Sequence, residues 1–448
     1  MSGSNSSAAR PLTLLVAIAI VVANMIGTGI FTSTGFQSAA LGGSVPQLIA
    51  WALGGVFALC GAAVYGELGA MMPRAGGEYV YLREAFHESV GFLSGWVSLI
   101  VGFAAPVAVS AMAFGKYVHW VAPDITMKVA AVSIICLLTA MHAASVVIGA
   151  KVQTAFSILK VGLILFFVFA AVLVGKGDWS NLSAGNGTEK IATGAFAVSL
   201  YWIAFSYSGW NAAAYIAGEI RDPGRNLPRA LFIGTGIVMA LYLMLNVVFL
   251  YAAPPALLAH GANGKPVFEV GAFTAQILFG ESAGKALAAL IALALVSAVS
   301  AMIMAGPRVY MAMAEDGAFP RIFAWKNRSG APVHSVLLQS ALSMVLLLTS
   351  RFDHLVKYIG FTLTIFAALS VIGAFVLRHT RTDAERPYRA IGWPVTPVLF
   401  VSLSVWMVYY GVKLEPKAAV WGGTTLASGA VVYVLWRLFN PTAGDATS

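Results

Sequence analysis

The sequence predicts an all-α polytopic membrane protein with twelve transmembrane helices. Three observations carry that reading. Of 448 residues, 59% are hydrophobic and 10% charged, where a soluble domain carries about 25% charged residues. The mean hydropathy of +0.83 means more apolar surface than the chain can hide in its own core, so lipid must be the solvent. Apolar runs long enough to cross a bilayer, about 20 residues each, recur along the whole chain.

In order, the first run covers 12–39 and follows Arg10. It is too long for a signal-peptide core and is read as a retained span, preceded by a disordered tail, 1–11. Spans 2 to 5 follow at 45–72, 91–120, 127–148 and 153–175. Span 6 is 192–217. Span 7, 228–252, opens on Pro228, a residue suited to a first helical turn. Spans 8 to 12 are 284–313, 334–350, 357–378, 394–412 and 418–438, and a tail occupies 439–448. The longer joins are 73–90, 176–191, 253–283, 314–333 and 379–393, and none is large enough for a soluble domain. With the N-terminus inside, every arginine except Arg351 falls on the cytoplasmic side. The positive-inside rule therefore puts both termini in the cytoplasm, and it places the net charge of +9 beside anionic lipid rather than nucleic acid. Cys60 and Cys136 both lie inside apolar runs, so no disulfide framework is expected.

Two spans are interrupted. Span 1 carries "NMIGTGIF" at Asn24–Phe31, and span 6 carries "FSYSGW" at Phe205–Trp210. The breaks are five spans apart, at the front of each half of a ten-span core. That position points to a transporter binding site, and the odd count per half inverts the second repeat relative to the first. A broken helix frees N–H groups on one side and C=O groups on the other, which in lipid must face a cavity or a ligand. The N–H ends suit a carboxylate, aided by the half-helix dipole, and the C=O ends suit an ammonium. A zwitterionic amino acid presents both charges on one carbon. Gly27 and Gly29 let the backbone approach closely. Gly27-Thr28-Gly29 also begins a dinucleotide fingerprint, but Thr32 stands where the third glycine belongs and no strand precedes it.

Lys160 lies well inside span 5. An intramembrane cation is a functional candidate by default, here as a fixed or titrating charge that satisfies free carbonyls of span 1. In span 8, Ser297 and Ser300 share a helix face as neutral oxygens for the same region. His142 and Lys116 read as packing or interfacial groups, and Glu67 as a structural acid below the site. No acid falls near the middle of spans 1, 3, 6, 8 or 10, so a neutral substrate is favoured over a cationic amino acid or polyamine. A membrane-embedded enzyme lacks an HExxH motif or an acid–base set, and a channel lacks a filter segment. No cofactor or metal is expected.

These residues resemble a known family. "MIGTGIF" is similar to the span 1 signature of amino acid–polyamine–organocation transporters, and "YGELGAMMPRAGGEYVYL" at Tyr65–Leu82 to that family's second signature. "FSYSGWNAAAYIAGEIRDPGRNLPRAL" at Phe205–Leu231 and "SAMIMAGPRVYMAMAEDGAFP" at Ser300–Pro320 resemble the L-amino acid transporter branch and its bacterial relatives. The resemblance implies a leucine-transporter-like fold: a 5+5 inverted repeat (12–175 and 192–378), discontinuous helices 1 and 6, and two peripheral spans at 394–438. It implies a sodium-independent exchanger or proton-coupled carrier of amino acids in the plasma (cell inner) membrane, working by alternating access. It implies that Ile26, Gly27, Thr28, Gly29 and Ile30 meet the substrate from span 1, and Phe205, Ser206, Tyr207 and Ser208 from span 6, with Phe205 as the gate. It places Lys160 near the sodium position of sodium-coupled relatives. Small and aromatic residues such as Ala104, Ala105, Tyr207, Asn211 and Met302 are expected to line the site. Eukaryotic members of the branch pair with a glycoprotein through a cysteine between spans 3 and 4. Here that loop, "VAPDITMK", has none, so no disulfide-linked partner subunit is expected.

Overall fold

The computed structural model describes residues 12–440 apart from Ala75, Ser145 and Ala262, with the backbone alone over 146–157. Both expected terminal tails fall largely outside the described residues. Among the described residues the secondary structure is helical, with one β-type contact, a bridge between Leu12 and Ile220. The first nine helices are α1 (Leu14–Met25), α2 (Thr28–Leu41), α3 (Ser44–Met71), α4 (Glu78–Ala85), α5 (Glu88–Val97), α6 (Ala105–Val121), α7 (Met127–Ala144), α8 (Val146–Val174) and α9 (Gly194–Tyr207). The rest are α10 (Pro223–Ala252), α11 (Pro255–Ala259), α12 (Val270–Phe279), α13 (Glu281–Ala305), α14 (Pro307–Glu315), α15 (Val333–Thr349), α16 (Phe352–Thr380), α17 (Val395–Leu414) and α18 (Pro416–Phe439).

Among the described residues, eight helices are long and apolar enough to cross a membrane, and nine if α1 and α2 form one bent span. Twelve expected spans thus reduce to nine on length and apolarity alone. Two of the remainder have physical reasons. The α15 helix has 17 residues, and α9 stops after 14 because its span breaks at Ser208.

The expected break in span 1 is present, with α1 and α2 meeting at 40° across Ile26 and Gly27. In span 6, α9 gives way to Gly209 at φ +96°, a left-handed conformation glycine adopts at little cost. A 3-10 segment, Ala212–Glu219, continues the chain. A third irregularity was not expected: a π-helical turn over Ser98–Ala104 joins α5 to α6 within one continuous 34-residue helix.

The core is built from helix pairs. The α3 helix packs along α10, α6 along α13, α7 against α15, and α2 against α9. The Glu88–Val121 helix is 78% buried over its most apolar stretch, whereas α17 and α18 are only 28% and 22% buried. The first is therefore central, and the last two lie at the edge. Their exposed Val405, Val412, Val420, Trp421 and Val434 need a lipid solvent.

Candidate substrate site

The two breaks touch each other reciprocally. Gly29, just after the first break, lies so close to Ser206, just before the second, that a Cβ would sit 2.3 Å from Ser206 Oγ and 2.5 Å from its Cα. Gly209, just after the second break, packs on Asn24, just before the first; a Cβ there would meet the Asn24 carbonyl at 2.9 Å. The α1 start is also held to the chain beyond the second break. Leu12 N–H donates to Glu219 O at 3.1 Å, and Arg221 N–H donates to Leu12 O at 2.8 Å.

The freed carbonyls have identifiable partners. Lys160 Nζ, 1% exposed, donates to Ile26 O at 2.8 Å and to Ala23 O at 3.2 Å. The cation thus sits at the C-terminal end of α1, where the helix dipole favours positive charge. Tyr242 of α10 places its hydroxyl 2.5 Å from Met25 O and 3.0 Å from Ser206 O. Its single proton serves one carbonyl at a time. On the span 6 side, Phe205 O accepts from Ser208 N–H and from Ser208 Oγ.

The freed N–H groups belong to the first turn of α2, Thr28–Ile30. The cap residue is Gly27, so no side chain caps them. Hydroxyls surround this turn: Thr28 Oγ1 donates to Ser110 Oγ at 2.9 Å, and Ser33 Oγ lies 3.2 Å from Ser206 Oγ.

A cavity opens from the second break. Phe205, Tyr207 and Ser208 line it, as do Asn211 and Met302. Ile26, Thr28, Gly29, Ile30 and Ser206 are buried outside its lining, and Gly27 does not line it either. The nine expected binding residues thus divide, because the tight Gly29–Ser206 contact closes the α2 end. Ala104 and Ala105 are buried outside the cavity as well. Ser300 Oγ lies 2.8 Å from His142 Nε2 on α7, a partner that the reading of Ser300 as an oxygen near Lys160 did not include. Ser297 is fully buried on the same face.

Two features were missed. The cavity contains a carboxylate: Glu78, from the start of α4, lines it and accepts from Tyr65 OH at 2.6 Å and from Asn211 Nδ2 at 3.1 Å. The search for acids was confined to the middles of spans, and this one arrives from the 73–90 join, folded back under the site. Ser98, Gly102 and Phe103 of the π turn also line the cavity. Such turns recur at functional sites, but nothing in a smooth apolar run signals one.

One turn back along α9 from Phe205 lies an aromatic cluster. Trp202 stacks on Phe36 with ring centroids 4.3 Å apart, and Phe268 meets Phe352 at 4.6 Å. Lys116 caps this cluster, 4.1 Å from the Phe268 ring and 4.0 Å from Glu269. Phe205 is buried and lines the cavity, with the aromatic cluster one turn away along its helix.

The sequence of the chain as a whole agrees with this geometry. The amino acid permease family model matches residues 12–435. The chain belongs to the amino acid permease family. This permease is 28% identical over 449 residues to the large neutral amino acids transporter small subunit 2 of Rattus norvegicus, covering 97% of this chain and 82% of that one. It is 29% identical over 421 residues to the b(0,+)-type amino acid transporter 1 of Homo sapiens, covering 92% and 84%. Membership in a family of permeases, with membrane-competent helices along the chain, removes the enzyme reading.

Proposed function

We propose that this permease is a sodium-independent secondary transporter, an exchanger or proton-coupled, that moves neutral L-amino acids across the plasma membrane by alternating access. The observation that carries this reading is the pair of crossed helix breaks with Lys160 on the carbonyls of the first. A site that binds sodium needs such carbonyl oxygens for the metal; here an ammonium on two of them supplies the positive charge. The amino acid would meet the uncapped N–H groups of Thr28–Ile30 with its carboxylate, with Ile26, Gly27, Phe205, Ser206, Tyr207 and Ser208 around its α-carbon. The closed contact between Gly29 and Ser206 must loosen to admit it. Phe205, lining the cavity with the aromatic cluster one turn away, suits the gate of a carrier open to one side.

The same reading has twelve spans in a 5+5 inverted repeat, 12–175 and 192–378, with peripheral spans at 394–438 and both termini cytoplasmic. Its support is the packing of four of the first five spans against the one five spans later: spans 1 and 6, 2 and 7, 3 and 8, 4 and 9. A two-fold axis between the halves brings equivalent elements together in this way. One relative is by name a small subunit, which leaves a partner subunit open for this chain. Cys60 is buried, and Cys136, although exposed, lies in the middle of the apolar helix α7 rather than in a loop, so we expect any such partner to be held without a disulfide.

A second reading, a carrier of cationic amino acids, is favoured by Glu78 in the cavity. Proteoliposome uptake tests both. Uptake of labelled leucine or alanine that is unchanged on replacing sodium with choline is expected. Sodium dependence refutes the role of Lys160, and stronger competition by arginine than by leucine selects the second reading.

A further inference from the structure

We propose that the groove between the start of α10 and the 383–391 segment is a binding site for an anionic phospholipid. One wall is the outer stripe of α10. Arg225 and Arg229, four residues apart and both exposed, line the groove, and Phe232 and Ile233 continue it along the same helix face. Beyond them the exposed stripe runs on through Ile237 and Met244. Cationic groups at the helix start and an apolar face below match, in order, the phosphate and the acyl chains of a lipid lying along the span.

The second wall is Pro387, Tyr388 and Ile391, and it is fixed in place. Glu67, 1% exposed, accepts from Arg378 Nε at 2.8 Å and from Ala390 N–H at 2.7 Å, and lies 3.6 Å from Arg386 Nε. Gly224 seals the end of the groove against Pro387, where a Cβ would meet Pro387 Cβ at 2.7 Å. The site is therefore preformed between a helix and a pinned loop.

The charges of this region are not spent internally. Arg378 and Arg386 are engaged by Glu67, whereas the side chains of Arg225 and Arg229 have no ion pair among the described residues. Asp222 also lines the groove, so two guanidinium groups face one carboxylate and the balance is positive. A phosphodiester supplies the missing negative charge. A free phosphate has no use for the apolar half: Phe232 is 39% exposed, Ile233 42% and Ile391 57%. A lipid covers both halves at once.

The test is a titration of the purified full chain with phosphatidylglycerol or phosphatidylcholine, read by native mass spectrometry as retained lipid. Substrate exchange in phosphatidylcholine vesicles checks that each variant is folded. Phosphatidylglycerol is expected to be retained over phosphatidylcholine. The Arg225→Gln/Arg229→Gln variant is expected to lose about thirtyfold in that affinity, at the usual contribution per basic residue near a membrane surface. Arg221→Gln, in the same loop but outside the groove, is expected to bind as wild type. Ile391→Glu places a carboxylate in the exposed apolar wall and is expected to release the lipid without disturbing the core, which decides the matter if the double variant does not fold. Inorganic phosphate in excess is not expected to displace the lipid. Undiminished retention by the double variant or by Ile391→Glu overturns the proposal. So does an equal loss in Arg221→Gln, which reduces the effect to overall charge, or displacement by phosphate, which leaves the acyl chains no part.

Discussion

Replacing Lys160 with methionine tests the site most directly. Methionine keeps the volume of the stem, so the change removes a charge and two hydrogen bonds rather than opening a cavity. The carbonyls of Ala23 and Ile26 stand at the end of α1, where an α-helix has no further N–H to offer. With Lys160 Nζ gone from 2.8 Å and 3.2 Å, each becomes a buried acceptor without that donor. Unsatisfied buried groups cost about 1–3 kcal/mol apiece, so the break loses about 2–6 kcal/mol of support. If only about 1.4 kcal/mol of this reaches the bound geometry, the apparent substrate KM rises about tenfold. The assay is exchange in proteoliposomes, with KM and maximal rate separated, beside hydrogen exchange over residues 20–30. We expect raised KM and faster amide exchange in that stretch, with partial recovery in Lys160→Arg, which retains a donor cation. Normal KM together with unchanged amide exchange in Lys160→Met would refute the reasoning, because the two carbonyls would then have been satisfied by something else.

Four further substitutions have defined outcomes. Gly29→Ala drives a methyl to within 2.3 Å of Ser206 Oγ and should cost about 1–3 kcal/mol by overpacking, with lost uptake. Gly27→Ala meets nothing nearer than 3.7 Å and should transport at a substantial fraction of wild type, so equal losses in the two variants would count against the packing argument. Glu67→Gln leaves Arg378 and Arg386 without their buried carboxylate; loss of one partner of a buried pair typically costs about 3–5 kcal/mol, to be read as a fall in thermal stability, and an unchanged melting temperature would mean that solvent reaches the pair. Glu78→Gln keeps a partner for Tyr65 and Asn211 but removes the charge from the cavity; leucine uptake should persist while inhibition by arginine weakens, and unaltered arginine inhibition would remove this carboxylate from any part in selectivity.

How much was legible divides along a physical line. The breaks at Gly27 and Gly209 were visible because a helix in lipid has so few ways to stop, and glycine at mid-span is one of them. Lys160 was visible because a charge in an apolar run has few places to go. Both readings need only the chain's local chemistry and the cost of lipid. Glu78 and the Ser98–Ala104 turn were not visible for the complementary reason. Glu78 reaches the cavity by the fold of a connecting loop, and the π turn, SLIVGFA, has a composition shared by many ordinary membrane helices. Gly29 was noticed as a residue that lets the backbone approach closely, without the element that approaches it. Its small size admits Ser206 of the opposite break, a tertiary contact that sequence spacing does not contain.

The cross-connections of the two breaks are unequal, and the inequality bears on how such a site moves. Lys160 holds two carbonyls of the same element, Ala23 O and Ile26 O, so it ties α8 to the end of α1 and nothing to α9. Tyr242 stands between elements, with Met25 O on one side and Ser206 O on the other. Its one proton means that drawing α1 away from α9 breaks at most one of these bonds, about 0.5–1.5 kcal/mol, and the hydroxyl then serves the carbonyl that stays. The other links are the Ser33–Ser206 hydroxyl pair, the Leu12 backbone bonds at the start of α1, and the Gly29–Ser206 and Gly209–Asn24 contacts, close but made with glycines that have no side chain to interlock. Alternating access needs states separated by only a few kcal/mol. In the proposed alternating access, a crossing held by small residues, hydroxyls and a shared proton would separate more cheaply than one held by a salt bridge, and would leave the Lys160 cap of α1 intact.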